Sequence, residues 1–139
     1  MSDFLAWNRR LYSGHRPMTK DGVAENAVVS VKTGLNPRRD LVDHSPTGFE
    51  WGYGGSGPAQ LALALASDAL LYRRFSPLGK PDGHELCGPD VQAAEQRAIE
   101  VHQALKEMLV ARFEHSAFAV TQAAVLGLID EILIARSKR

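Results

Sequence analysis

Hydrophobic and polar positions divide the chain into a strand-rich first third and a helical remainder. Arg10 to Arg16 and Ala27 to Lys32 read as two strands, the second carrying the β-rich Val28-Val29-Ser30-Val31. The polar connection between them, residues 17–26, holds a turn signal, so the pair is expected to form a hairpin. Residues 33–48 contain Pro37 and Pro46 and predict loop. Phe49, Trp51 and Tyr53 then alternate with Glu50 and Gly52, the period of a strand with one aromatic face. A first helix is expected from Pro58 to about Arg74. Its opening, Leu61 to Ala66, is apolar on every side and therefore predicts a central helix covered from more than one direction. Residues 76–89 hold three prolines and three glycines and read as a loop insertion.

From Asp90 the pattern turns amphipathic. Val91, Ala94, Ala98, Val101, Leu105 and Met108 fall at alternating steps of three and four, the seam of a coiled coil, with Ile99, Leu109 and Val110 widening it. The 90–113 helix has two readings, packing on the domain's own sheet or pairing with a second copy, and a homo-oligomer is expected. Phe118-Ala119-Val120 predicts a short strand. Thr121 follows as the cap of a last apolar helix reaching about Arg136, and Ser137 to Arg139 should fray. The expected fold is α+β: one domain over 1–139, with a small antiparallel sheet (the N-terminal hairpin plus the central aromatic strand) against about three helices and a helical C-terminal part over 90–136.

The most informative stretch for function is Glu50 to Gln60. Four glycines, Gly52, Gly54, Gly55 and Gly57, fall within six residues, which frees the backbone to take positive φ and to approach a ligand. Pro58 suits the first helical position and Ser56 or Gly57 the cap, so unpaired amides should leave the turn with the helix dipole behind them. Such an end attracts phosphate or carboxylate. The mononucleotide pattern fails because no Lys followed by Ser or Thr ends the turn. Gly52, Gly54 and Gly57 satisfy a bare G-x-G-x-x-G, but Leu71, Tyr72, Arg73 and Arg74 stand where a dinucleotide site has its acidic residue. The other reading is a tight turn that needs glycine for geometry alone. If a ligand sits here, Trp51 or Tyr53 would stack on a ring, and Arg16, Arg38 or Arg39 would close over its charge. His44 and Ser45 would donate to the anion or fix the loop.

The stretch from Arg39 to Ala64, which includes Glu50-Trp51-Gly52-Tyr53-Gly54-Gly55-Ser56-Gly57-Pro58-Ala59-Gln60, resembles the signature of the uncharacterised family DUF6166. Tyr12-Ser13-Gly14-His15-Arg16 is similar to that family's Tyr-x-Gly-x-Arg start. The likeness is close over 39–66, looser from Tyr12 and weak after Asp68. It implies a short N-terminal hairpin and a setting in bacteria, phages and mobile elements, and it brings no established activity.

Composition narrows the classes. A chain of 139 residues, 45% apolar, suffices for one core. Sixteen basic residues balance sixteen acidic ones, which argues against nonspecific nucleic-acid binding. One cysteine, Cys87, excludes an internal disulfide and agrees with a cytoplasmic location, that of the host cell if the chain is phage-encoded. The start Met1 to Trp7 lacks the pattern of a signal peptide, and no apolar run reaches a membrane span. His84 and Cys87 have the spacing of two metal ligands with no second pair, so neither metal nor cofactor is expected. Ser45 and Ser56 lack a nucleophile elbow. Glu50, a base if buried, is expected to face solvent or pair with an arginine.

Three classes of function follow. The first is a non-catalytic protein holding a phosphate-bearing nucleotide at the glycine turn, in its sharpest form a counter-defence protein that sequesters a nucleotide immune signal. The second is a protein-interaction inhibitor of a host defence complex such as a CRISPR effector. The third is a small nucleotide-processing enzyme, which would need His44 or Glu50 to share a cleft with Gly54 to Gly57.

Overall fold

A computed structural model of the chain describes residues 11–15, 28–31, 33–45, 48–73 and 89–138. Three strands come from the N-terminal third: β1 (Leu11–His15), β2 (Val28–Val31) and β3 (Thr33–Gly34). Helix α1 (Ser56–Arg73) follows, then α2 (Pro89–Met108), a short 3₁₀ turn at Val110–Arg112, strand β4 (Ala117–Thr121) and helix α3 (Gln122–Ser137). The sheet is antiparallel with order β3-β2-β1-β4. This is the expected α+β class, and the hairpin forms with Ser13 opposite Ser30.

The strand that joins the hairpin is the short one expected at Phe118-Ala119-Val120, and not the aromatic segment. The Phe49–Tyr53 segment is not a strand: Gly48 and Gly52 adopt φ of +131° and +86°, which turn the backbone out of any extended run. β4 takes the place beside β1, pairing Leu11 with Thr121 and Gly14 with Phe118. Gly14 is required by that pairing. A Cβ there would lie 2.3 Å from the Phe118 ring, so the bare backbone lets the ring lie across β1. Trp51, fully buried, meets Phe118 edge-on at 5.0 Å, and Phe113 stacks on Phe118 at 4.3 Å. The aromatic residues of 49–53 therefore have separate fates: Trp51 enters the core and Tyr53 is exposed.

α1 is the centre of the molecule. Leu61 to Ala66 have no exposed surface, in agreement with their all-round apolar sequence. Its main neighbour is α2, with α3 on another side. The seam of α2 is consumed there: Ala94, Ala98, Val101 and Leu105 are buried in the chain's own core. The element these residues mainly pack on is α1, and they are not open to a second copy as the 90–113 reading required, whereas Met108 at the end of the seam is 38% exposed. The helix also stops early, at Met108, and the 3₁₀ turn follows. Thr121 caps α3 as expected, its hydroxyl accepting from the Ala124 amide at 3.1 Å. The insertion 76–89, apart from Pro89 itself, lies outside the described residues, as do Arg16, His84 and Cys87.

Candidate functional site

Residues 35–45 have almost no regular secondary structure, so their backbone groups need partners from elsewhere. One side chain on α1 supplies four. The fully buried Gln60 accepts from the His44 and Ser45 amides at 2.7 and 3.1 Å. Its amide nitrogen donates to the Pro37 and Val42 carbonyls at 2.7 and 3.0 Å. Both halves of the carboxamide are satisfied, which is the condition under which a buried polar group stabilises a fold. Ser45 is buried and its hydroxyl donates to the Gly48 carbonyl at 2.8 Å.

Two further ties bind this loop to α2. Arg38, held at φ +57° with its amide on Asn36 Oδ1, reaches both Asp40 and Glu95. The hydrogen bond to Asp40 is the larger reason its guanidinium is held above the ordinary arginine value, against the opposing effect of burial. Asp40 is lowered in turn, first by Arg38. His44 Nε2 lies 2.9 Å from His102 Nε2, and His102 Nδ1 lies 2.6 Å from the Ile99 carbonyl. A carbonyl only accepts, so the hydrogen-bond network assigns the His102 proton to Nδ1 and the lone pair to Nε2, and His44 donates. Burial lowers the His102 pKa and keeps it neutral, as this arrangement requires. Both its ring nitrogens are then occupied, which leaves neither for base chemistry.

The glycine turn is built differently from the expectation. Gly55 O accepts from the Ala59 amide at 3.0 Å, so Gly55 caps α1 and Ser56 begins it. Pro58 then falls third in the helix and removes one of the amides that would otherwise point outward. Gly57 is buried against Glu50, whose Cβ would stand 2.6 Å from a Cβ at 57. Gly52 donates its amide to Val110 O at 3.0 Å. Gly55 sits beneath the Tyr53 ring, 2.9 Å from where its Cβ would be, and nothing stands within 4 Å of a Cβ at Gly54. Tyr53, Gly54 and Ser56 form an exposed apex.

The candidate residues thus fall into two groups. Arg38, His44 and Ser45 are engaged in holding the loop, Arg39 is paired with Asp43 one helical turn away in sequence, and Trp51 is in the core. Tyr53, Gly54, Gly55 and Ser56 make the apex. Gln60, Glu95 and His102 were missed by sequence reasoning. The available signals were a glutamine beginning an apolar run and a histidine beside the buried seam of α2. Among the described residues no group of three His, Cys, Asp or Glu is placed to hold a metal ion, and no helix is long and apolar enough to cross a membrane.

These features define a small α+β domain in which an irregular polar loop is tied to a central helix. Residues 12–77 match the model of a family of unknown function, DUF6166. The match runs from β1 through α1 and contains the loop, Gln60 and the glycine apex, whereas α2, β4 and α3 lie beyond it. No curated protein and no solved structure matches the chain.

Proposed function

We propose that this is a non-catalytic binding protein that takes a phosphate-bearing ligand with a planar ring, a nucleotide, at the apex formed by Tyr53, Gly54 and Ser56. The observation that carries the reading is the Tyr53 ring, 47% exposed yet seated against Gly55. An aromatic face held in that way suits base stacking, and the adjoining open backbone at the start of α1 suits an anion. Arg38 and His44 are bound up in the loop, which favours holding a ligand over transforming it. For the same reason Arg38, engaged by Asp40 and Glu95, does not close over the charge.

In the phage or mobile-element setting implied by the family resemblance, the sharper form is sequestration of a nucleotide signal from a defence effector. Native mass spectrometry of freshly purified protein, followed by a nucleotide panel, tests it. A nucleotide released unchanged supports the reading. Tyr53→Ala is expected to weaken binding about tenfold or more, the usual worth of a lost base stack, with the fold intact. A chain that takes no nucleotide, or one whose affinity ignores Tyr53→Ala and Gly55→Val alike, overturns it. An inhibitor of a host defence complex, the alternative reading, needs an open apolar helix face. α3 has one, and its charges point to a different occupant.

A further inference from the structure

α3 carries more apolar surface than its own chain covers. Gln122, Val125, Ile129 and Ile132 face the core, while Ala123, Ala124, Gly127, Glu131, Ile134, Ala135 and Lys138 are exposed. Ile134 is 54% exposed and Met108, at the end of α2, 38%. Between the two helices an open groove of about 450 Å³ is lined by Ala104, Met108, Ile132 and Ala135 together with the charged Glu131 and Arg136.

At about 100° per residue, Glu131, Ile134, Ala135 and Lys138 fall on one side of α3, with the two charges at the ends of a stripe about 10 Å long. A parallel neighbour would set Glu131 against Glu131 and Lys138 against Lys138. An antiparallel copy related by a two-fold axis between residues 134 and 135 reverses both contacts. Glu131 of each chain then lies beside Lys138 of the other, and Ile134 meets the second copy's Ala135 at the lip of the groove. The stripe is complementary to itself in charge and direction, the condition for an isologous interface. A net charge of zero places no overall repulsion in the way.

We propose that the outward face of α3 is a homodimer interface, with a second copy of this chain packed antiparallel across Ile134. It is independent of any ligand at the Tyr53 apex. The test is sedimentation equilibrium of the full chain, wild type and variants, with circular dichroism to confirm the fold. The wild type is expected to dimerise and Ile134→Glu to be monomeric at the same concentrations. Glu131→Lys and Lys138→Glu each set like charges together twice per dimer and should raise the dissociation constant about tenfold. An equimolar mixture of these two variants should restore assembly, because each heterodimer again pairs Lys with Glu at both ends. A monomeric wild type, a dimer indifferent to Ile134→Glu, or a mixture no tighter than its components overturns the proposal.

Discussion

α1 and α3 are the two helices with apolar residues on every side, and they meet opposite fates. Gly57 to Ser67 is buried without interruption in α1, whereas α3 buries four residues along one face. The composition of the two helices is similar; what surrounds them is not. α1 has α2, α3 and the polar loop packed around it, while α3 lies at the margin. An all-round apolar helix therefore states a demand for burial without saying whether its own chain meets it. In α1 the chain does. In α3 we assign the remainder to a second copy.

The contrast is sharpest in a pair of truncations. Leu63→Ala in α1 removes a fully buried side chain and should cost about 2–5 kcal/mol in urea unfolding. Ile134→Ala should cost under about 0.5 kcal/mol at concentrations where the chain is monomeric. Equal losses would break the comparison. The two buried glutamines extend it. Gln60 makes four hydrogen bonds to the loop, and Gln122 on α3 donates to the Ala69 carbonyl at 3.1 Å. Gln60→Leu is expected to cost about 3 kcal/mol and Gln122→Leu about 1 kcal/mol, because the first leaves more backbone groups without partners. Amide hydrogen exchange at His44 and Ser45 should rise in Gln60→Leu alone.

The smallest effect is in pH. His102 has a folded pKa below its ordinary value, chiefly through burial, so the unfolded chain binds more protons as pH falls below about 6.5. Its contribution is present at neutral pH and is lost on acidification. Asp40 is lowered too, but from 3.8, and its loss begins only at still lower pH. Unfolding free energy should therefore decline between pH 7.5 and 5, and His102→Asn should flatten that decline. A slope unchanged by His102→Asn would remove the histidine pair as its cause.

Much of the fold was legible because local signals agreed with the final structure. The β-branched run at Val28 to Val31, the Thr121 cap and the central apolar stretch of α1 all led to the observed elements. The aromatic strand was misread because alternation in sequence implies a face only if the backbone stays extended, and Gly52 at φ +86° does not. The α2 seam was legible as a seam, but its partner was not, since periodicity is the same whether the facing helix belongs to the same chain or another. The candidate site was legible in part. Tyr53, Gly54 and Ser56 form the apex, whereas the uses of Arg38 and His44 depended on Glu95 and His102, both more than fifty positions away.

The carboxamide of Gln60 reads only main-chain atoms, those of Pro37, Val42, His44 and Ser45. Such a template is indifferent to much of what the loop displays and strict about how long it is. Exposed positions such as Arg39 and Asp43 should accept almost any side chain in a saturation library, whereas a single-residue insertion or deletion between 37 and 45 should be depleted, having shifted the bonded groups on one side of it out of register with those on the other. The loop can thus change its spelling but not its length.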